Sequence, residues 1–350
     1  MGTPIATSEP ADRPLPDRPA TRAGRRVPVL AFLVRRLAAG LATLLVASML
    51  IFAMTEVLPG DVASAVLGRS ATPGAVHSLQ DKLGLDRSVP ERYVDWLGGL
   101  VTGDLGESAV ALAQEADDPS VSSRIGEPLR NSAILAGIAF VLFVPIALGL
   151  GVLTGVKAGR PLDYLVSLTA LAINALPEFV IATFLIVIFF NQLDLFTPVV
   201  GFGPGESPLD HTEDLVLPVL TLLLAATATG LRMVRAGVVE VMRHDYVAMA
   251  ELNGFRRRRV VWRYIVRNAM APSVIAIAQV AAYLVAGIII TENVFNYPGV
   301  GRLLVDSVKN RDVTLVEDVA MILATIYVLL NIVADLIVVF LIPKLRTSQT

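Results

Sequence analysis

The sequence predicts an all-α polytopic membrane protein with six transmembrane helices and both termini cytoplasmic. Three observations carry this reading. Of 350 residues, 54% are hydrophobic and 17% charged, whereas soluble domains carry about 25% charged residues. Six apolar runs are long enough to cross a hydrocarbon core. With the N-terminus placed inside, 20 of the 29 Lys and Arg residues fall on the inner side. That bias is sharpest in the short loops, where it is most diagnostic.

The elements follow in order. Residues 1–30 are rich in Pro, Arg and Ala without periodicity, and read as a disordered cytoplasmic tail; a docking segment is the alternative. The first span, 34–58, begins with Arg35 and Arg36. It is too long for a signal-peptide core and no small-residue cleavage site follows, so it reads as a retained anchor. An external subdomain, 59–132, opens on a turn at Pro59, Gly60 and Asp61. Short helices are expected over 79–83 and 91–100, the second with Tyr93, Trp96, Leu97 and Leu100 as its apolar stripe. Gly103 and Gly106 read as turn formers.

The second span, 133–156, contains Pro145 and leads to a short inner turn with Lys157 and Arg160. The third, 164–190, is interrupted by Pro177. The following loop has five acidic residues (Asp194, Glu206, Asp210, Glu213, Asp214) and no Lys or Arg. The fourth span, 215–231, carries Pro218 in its first turn, where a missing N–H costs little. The fifth span is 274–290. A loop with Tyr297, Pro298, Gly299 and Gly301 then precedes the sixth, 319–342, and Pro343, Lys344 and Arg346 follow. No internal repeat is visible.

The segment 237–272, between the fourth and fifth spans, organises the functional reading. Val239, Met242, Tyr246 and Met249 recur at steps of three and four, giving one apolar face on a helix ending near Asn253. Gly254 suits the residue just past that end. A second helical run carries Arg256, Arg257, Arg258, Arg259, Arg263 and Arg267 up to Pro272. Such a knob, tied to spans at both ends, suits the passage of force from a soluble partner to a membrane bundle. A plainer reading of the arginines is that they hold topology and attract anionic membrane lipid.

Polar residues in the spans are further candidates, because an acid at a span centre costs about 2.5–3.5 kcal/mol on insertion scales. Asn174, Glu178 and Gln279, with Glu292 at the outer end of the fifth span, either line an aqueous substrate path or make interhelical hydrogen bonds. Asn331 and Asp335, one turn apart, read as packing contacts.

Catalytic chemistry finds no support. The chain has no cysteine, which excludes disulfides and thiolate metal sites, and His77, His211 and His244 show no ligand spacing. Around Lys157 the glycine and hydroxyl pattern of a phosphate-binding loop is missing. No cofactor is expected in this chain, and any ATP–Mg must be held by partner subunits.

The segment around Tyr246, Val247, Ala250, Gly254, Arg267, Asn268, Ala269 and Pro272 resembles the coupling loop of bacterial ABC importer permeases of the dipeptide, oligopeptide and nickel branch. Ala248 stands where other branches carry the loop's glutamate, and the long Gly254-to-Pro272 distance also fits the peptide branch. The stretch from Thr291 through Gly301, and Leu83, Gly84, Trp96, Gly103 and Gly106 in the external subdomain, resemble the same branch. The resemblance implies that Tyr246, Val247, Ala248, Met249, Ala250 and Gly254 contact an ATPase. It implies a second homologous permease, two ABC ATPase subunits or domains and an extracytoplasmic substrate-binding protein as partners. It also implies the bacterial cytoplasmic membrane as location, di- or oligopeptides as cargo, and nickel, glutathione or another small solute as alternatives. Nucleic acid is not among the expected partners. From a different class, a stand-alone channel or secondary carrier stays open; a membrane-embedded enzyme ranks last.

Overall fold

A computed structural model describes residues 29–57, 61–68, 71–203 and 205–341. Residues 1–28 of the expected tail, the turn at Pro59 and Gly60, and the segment from Pro343 onward lie outside the described residues. Helix α1 is Val29–Glu56. Four short helices follow: α2 Val62–Leu67, α3 Pro73–Leu83, α4 Val89–Thr102 and α5 Ala109–Ala113. Next come α6 Val121–Val156, α7 Pro161–Asn174 and α8 Glu178–Ile186, which continues as a π-helical turn over Val187–Gln192. Then come α9 Val216–Met242, α10 Asp245–Leu252 and α11 Arg257–Arg259; a π-helical stretch, Val260–Val266, leads into α12 Arg267–Val294. The last two are α13 Val300–Lys309 and α14 Val313–Leu341. Among the described residues five helices are long and apolar enough to cross a membrane, and α7 with α8 forms a sixth candidate bent by 105°.

The bend marks where Pro177 was expected to interrupt the third span. Packing shows that the bent pair, with the loop after it, carries the chain back along the bundle. On α6, Phe143, Gly151 and Gly155 meet Gly230, Val234 and Val238 of α9 in rising order, so the two helices run parallel. The chain between them must return to the opposite end. Gly151 and Gly155 make this approach possible: a Cβ on either would lie 2.6 Å from a valine side chain. Small residues allow this backbone proximity in lipid, where packing rather than the hydrophobic effect joins helices.

α9 is the axis of the bundle. Its Leu217, Leu222 and Ala226 join Leu135, Phe143, Ile181, Ala182, Val280, Leu284 and Tyr297 in the main core. By contrast Leu41 and Met54 on α1 and Leu165 on α7 are more than 60% exposed, as lipid-facing residues should be.

Several expected boundaries shift. The helix that carries the second span begins at Val121, so residues 121–132 are helical and continuous with that span. α9 runs on from 231 to Met242. The sixth span starts at Val313, and the loop before it contains α13. Pro272 does not end the basic helical run; it lies inside α12, close against Gly237. The short helices between α1 and α6 pack on α1 and α14. Phe52 meets Tyr93 and Trp96 with ring centroids 5.4 and 5.8 Å apart, and the Trp96 indole donates to Asp318 at 2.8 Å. Gly103 and Gly106 adopt φ of +85° and +68°, as turn formers do. Asp335 pairs with Arg36 of α1, while Asn331 bonds back to the Tyr327 carbonyl on its own helix.

Candidate functional site

The site is built where α9 ends. Periodicity predicted one helix through residues 239–253, but the structure breaks it at Arg243 and His244. His244 takes an extended conformation (ψ 141°) and serves as the N-cap of α10. At the other end, Gly254 has φ +73°. Its N–H donates to the Glu251 carbonyl at 3.0 Å, and the Phe255 N–H to the Ala250 carbonyl at 3.3 Å. This paired closure requires a left-handed residue, which glycine adopts without a Cβ penalty.

α10 is therefore a two-turn helix with two apolar sides. Val247 and Ala250 are buried, in a cluster with Val234, Val238, Val241, Val260, Ile265 and Ala269. They fasten α10 to its own bundle. Tyr246, Met249, Leu252 and Phe255 are 40%, 58%, 82% and 37% exposed, and Ala248 is exposed with them. Of the six residues expected to meet a partner, Val247 and Ala250 thus face inward. Tyr246, Ala248 and Met249 form the outward side, and Gly254 lies at its edge with no atom within 4 Å of where a Cβ would be. Leu252 and Phe255, not singled out from the sequence, extend the same exposed ridge. The Phe255 ring stacks on Tyr264 at 5.9 Å and lies under the Arg259 guanidinium at 4.9 Å.

A second constellation, also missed, joins this end of the bundle to the bent crossing. Asp163 in the first turn of α7 is 2% exposed. It accepts from Arg235 Nε and Nη2 at 2.6 and 2.8 Å, the Gly159 N–H at 2.9 Å and the Ser167 hydroxyl at 3.1 Å. Bidentate, charge-assisted bonds of this kind fix orientation as well as charge. α9, which leads directly into α10, is thereby locked to α7. Acid and base stand 72 positions apart, and no local pattern signals their meeting.

Among the described residues no hydrogen bond joins the four pathway candidates to one another. Asn174 and Gln279 are exposed, and Asn174 accepts from the Thr229 hydroxyl at 2.8 Å. Glu178 is 8% exposed at the start of α8, and its Oε1 has no hydrogen-bond partner. The carboxyl lies over Gly287 of α12, where a Cβ would be 2.3 Å from Oε1. Glu292 is fully buried. Its carboxylate accepts from the Ser132 hydroxyl and from the N–H groups of Gly301 (2.7 Å) and Arg302 (3.3 Å). The turn through Pro298 and Gly299 is wrapped round it, and the buried Tyr297 hydroxyl donates to the Asn131 carbonyl at 2.7 Å. Glu292 therefore holds a turn together and presents no exposed surface in this chain. The buried phenol's pKa is raised, chiefly by desolvation.

Comparison with known proteins adds to this geometry. Residues 147–347 match the family described as binding-protein-dependent transport system inner membrane component, and residues 29–115 match the N-terminal model of such membrane components. The chain is 28% identical to a peptide ABC transporter permease protein of Sinorhizobium fredii, over 90% of this chain and 99% of that protein. It is 31% identical to a peptide permease protein of Brucella suis, over 91% of this chain and the whole of the relative. It is also 31% identical to the glutathione transport system permease protein GsiC of Escherichia coli, over 91% of this chain and 99% of GsiC.

Proposed function

The chain belongs to the binding-protein-dependent transport system inner membrane component family, and from that premise we propose how it works as the permease of a peptide importer. It is a multi-pass protein of the bacterial inner membrane and a transport subunit. We assign di- or oligopeptides as its cargo, on the names of two relatives. Glutathione, the cargo named for GsiC, is a second reading and is itself a small peptide.

In this reading the α10 end faces the cytoplasm, where the arginines of 256–267 lie, and α2–α5 face outside. A second homologous permease completes the path. Two ABC ATPase subunits or domains bind ATP–Mg and hydrolyse it, and an extracytoplasmic binding protein delivers the solute. Movement of the ATPases pushes on Tyr246, Ala248, Met249 and the rim at Gly254. Because Val247 and Ala250 fix α10 to α9 and to the helix leading into α12, the push moves those helices and not the loop alone. Arg235 passes the displacement to Asp163 and hence to the α7–α8 crossing, where Asn174 and Glu178 line the path; Gln279 is kept as a third contact.

The carrying observation is the exposed ridge of Tyr246, Met249, Leu252 and Phe255 on a helix whose other side is already occupied. An apolar ridge in water is a surface awaiting a partner, and a short amphipathic helix laid in a groove is a common way to bind one. Met249→Glu and Leu252→Glu test it, because both change the outward side and leave the inner contacts intact. Both should insert normally and fail to support peptide uptake or to co-purify with the ATPase. Normal uptake by both would overturn the coupling role. Against a stand-alone carrier, ATP-independent transport by the purified chain in liposomes should be absent.

A further inference from the structure

Between α7 and α9 the bundle shows polar groups where lipid would be expected. An open hollow of about 460 Å3 is lined by Ser167, Thr229, Arg232, Met233, Arg235 and Ala236. Asn174 lies on the same seam, because the Thr229 hydroxyl bonds to its side-chain carbonyl. Thr229 lies within the fourth span, 215–231, and Asn174 closes α7, Pro161–Asn174, so this pair sits inside the bilayer, toward the inner end of that span. A hydrocarbon environment does not satisfy such groups; polar residues at that depth face a water-filled cavity or another protein surface.

Two arginines sit one turn apart on this stretch of α9. Arg235 is neutralised by Asp163. Arg232 is exposed and has no acidic partner among the described residues. The seam thus carries one uncompensated positive charge. One turn along α9, at Thr229, is the Asn174 amide, whose carbonyl is taken by the Thr229 hydroxyl and whose NH2 remains a donor.

We propose that this seam lines the aqueous path and that Arg232, assisted by the Asn174 amide, is the subsite that holds a carboxylate of the passing solute. The guanidinium fork matches a carboxylate in two parallel bonds, and an amide donor supplies a neutral third contact. The assignment rests on the importer reading and adds the chemical class that the path selects: solutes bearing a free carboxylate. Arg232 attracts that group without burying it, so the solute is held weakly enough to leave.

The chain contains no cysteine, which makes the test direct. Single variants Thr229→Cys, Ala236→Cys and Leu165→Cys are made in the complete importer in native membranes, and each is checked for uptake. They are then exposed to membrane-impermeant thiosulfonates bearing either an ethylsulfonate or a trimethylammonium group, each rate normalised to that with a small free thiol. Thr229→Cys and Ala236→Cys should react, and Leu165→Cys, on the opposite side of α7, should not. At Ala236→Cys the anionic reagent should be favoured about tenfold, as one nearby unpaired charge dictates. Arg232→Gln should abolish the preference and Arg232→Lys should keep it. Absence of reaction at Thr229→Cys in an uptake-competent importer would overturn the aqueous seam, and reaction without charge preference would overturn the subsite; both results leave the importer reading intact. Failure of the unaltered chain to support ATP-driven uptake would strike that reading instead.

Discussion

Replacing Arg235 with glutamine removes the cation that grips Asp163 and leaves a buried carboxylate with two neutral donors, the Gly159 N–H and the Ser167 hydroxyl. Breaking a buried ion pair from one side costs about 3–5 kcal/mol, mostly for the charge left behind. Here the arginine side chain keeps 32% of its surface exposed. Water can therefore reach the gap, and about 2–3 kcal/mol is the better figure. Asp163→Asn removes the anion and leaves Arg235 partly hydrated, so its cost is smaller, about 1–2 kcal/mol. The double variant Asp163→Asn/Arg235→Gln strands no charge and should resemble Asp163→Asn alone, far short of the sum of the singles. Thermal melting of the purified chain in detergent should rank Arg235→Gln lowest, with the double variant and Asp163→Asn together above it. Additive losses, or a loss below about 1 kcal/mol for Arg235→Gln, would refute the claim that this pair is a buried lock between α9 and α7.

Other contacts give sharp expectations. Gly287→Ala would push a Cβ to 2.3 Å from Glu178 Oε1 and should cost about 1–3 kcal/mol by overpacking; adding Glu178→Ala should relieve it in the same melting assay. Glu292→Ala strands the Ser132 hydroxyl and the Gly301 and Arg302 N–H groups, at roughly 1–3 kcal/mol for each buried donor. It should sharply lower membrane yield, whereas Tyr297→Phe, losing one bond, should cost about 1 kcal/mol. At the start of α2, the Asp61 carboxylate is held below its usual pKa, chiefly by the Ser64 hydroxyl and then by Gln80. A depressed folded-state pKa means that stability is present above the unfolded value and is lost as pH falls through the folded one. Amide exchange in Val62–Leu67, corrected for intrinsic rate, should hold steady from neutral pH down to about pH 4 and rise below it.

What the sequence could express was the membrane-crossing character of each span and the place of the knob, because both are local patterns of apolar residues. Span ends were less legible. A helix, once formed, runs on through polar residues when something else satisfies them: α9 continues past Arg235 because Asp163, from another helix, neutralises it. The break at Arg243 and His244 has no glycine or proline to announce it, and Pro272 was read as a stop although the packing of α12 on Gly237 carries the helix through. α10 shows why periodicity found the knob but not its faces. Val247 and Ala250 are as apolar as Tyr246 and Met249, so spacing alone does not say which pair meets the bundle. Glu292 looked like a lone intramembrane acid because its partners are backbone N–H groups nine and ten positions on and a serine on α6. The sequence does not reveal such satisfaction.

The central claim is that the outward side of α10 receives work from a nucleotide-hydrolysing neighbour. Its most direct measurement uses the cysteine-free background: benzophenone maleimide is attached at Met249→Cys, Leu252→Cys or, as the inward control, Val247→Cys, and the assembled importer is illuminated in membranes. The account predicts a covalent adduct with the ATPase from Met249 and Leu252 and none from Val247. No adduct from either outward position, in membranes that still import peptide, would contradict it.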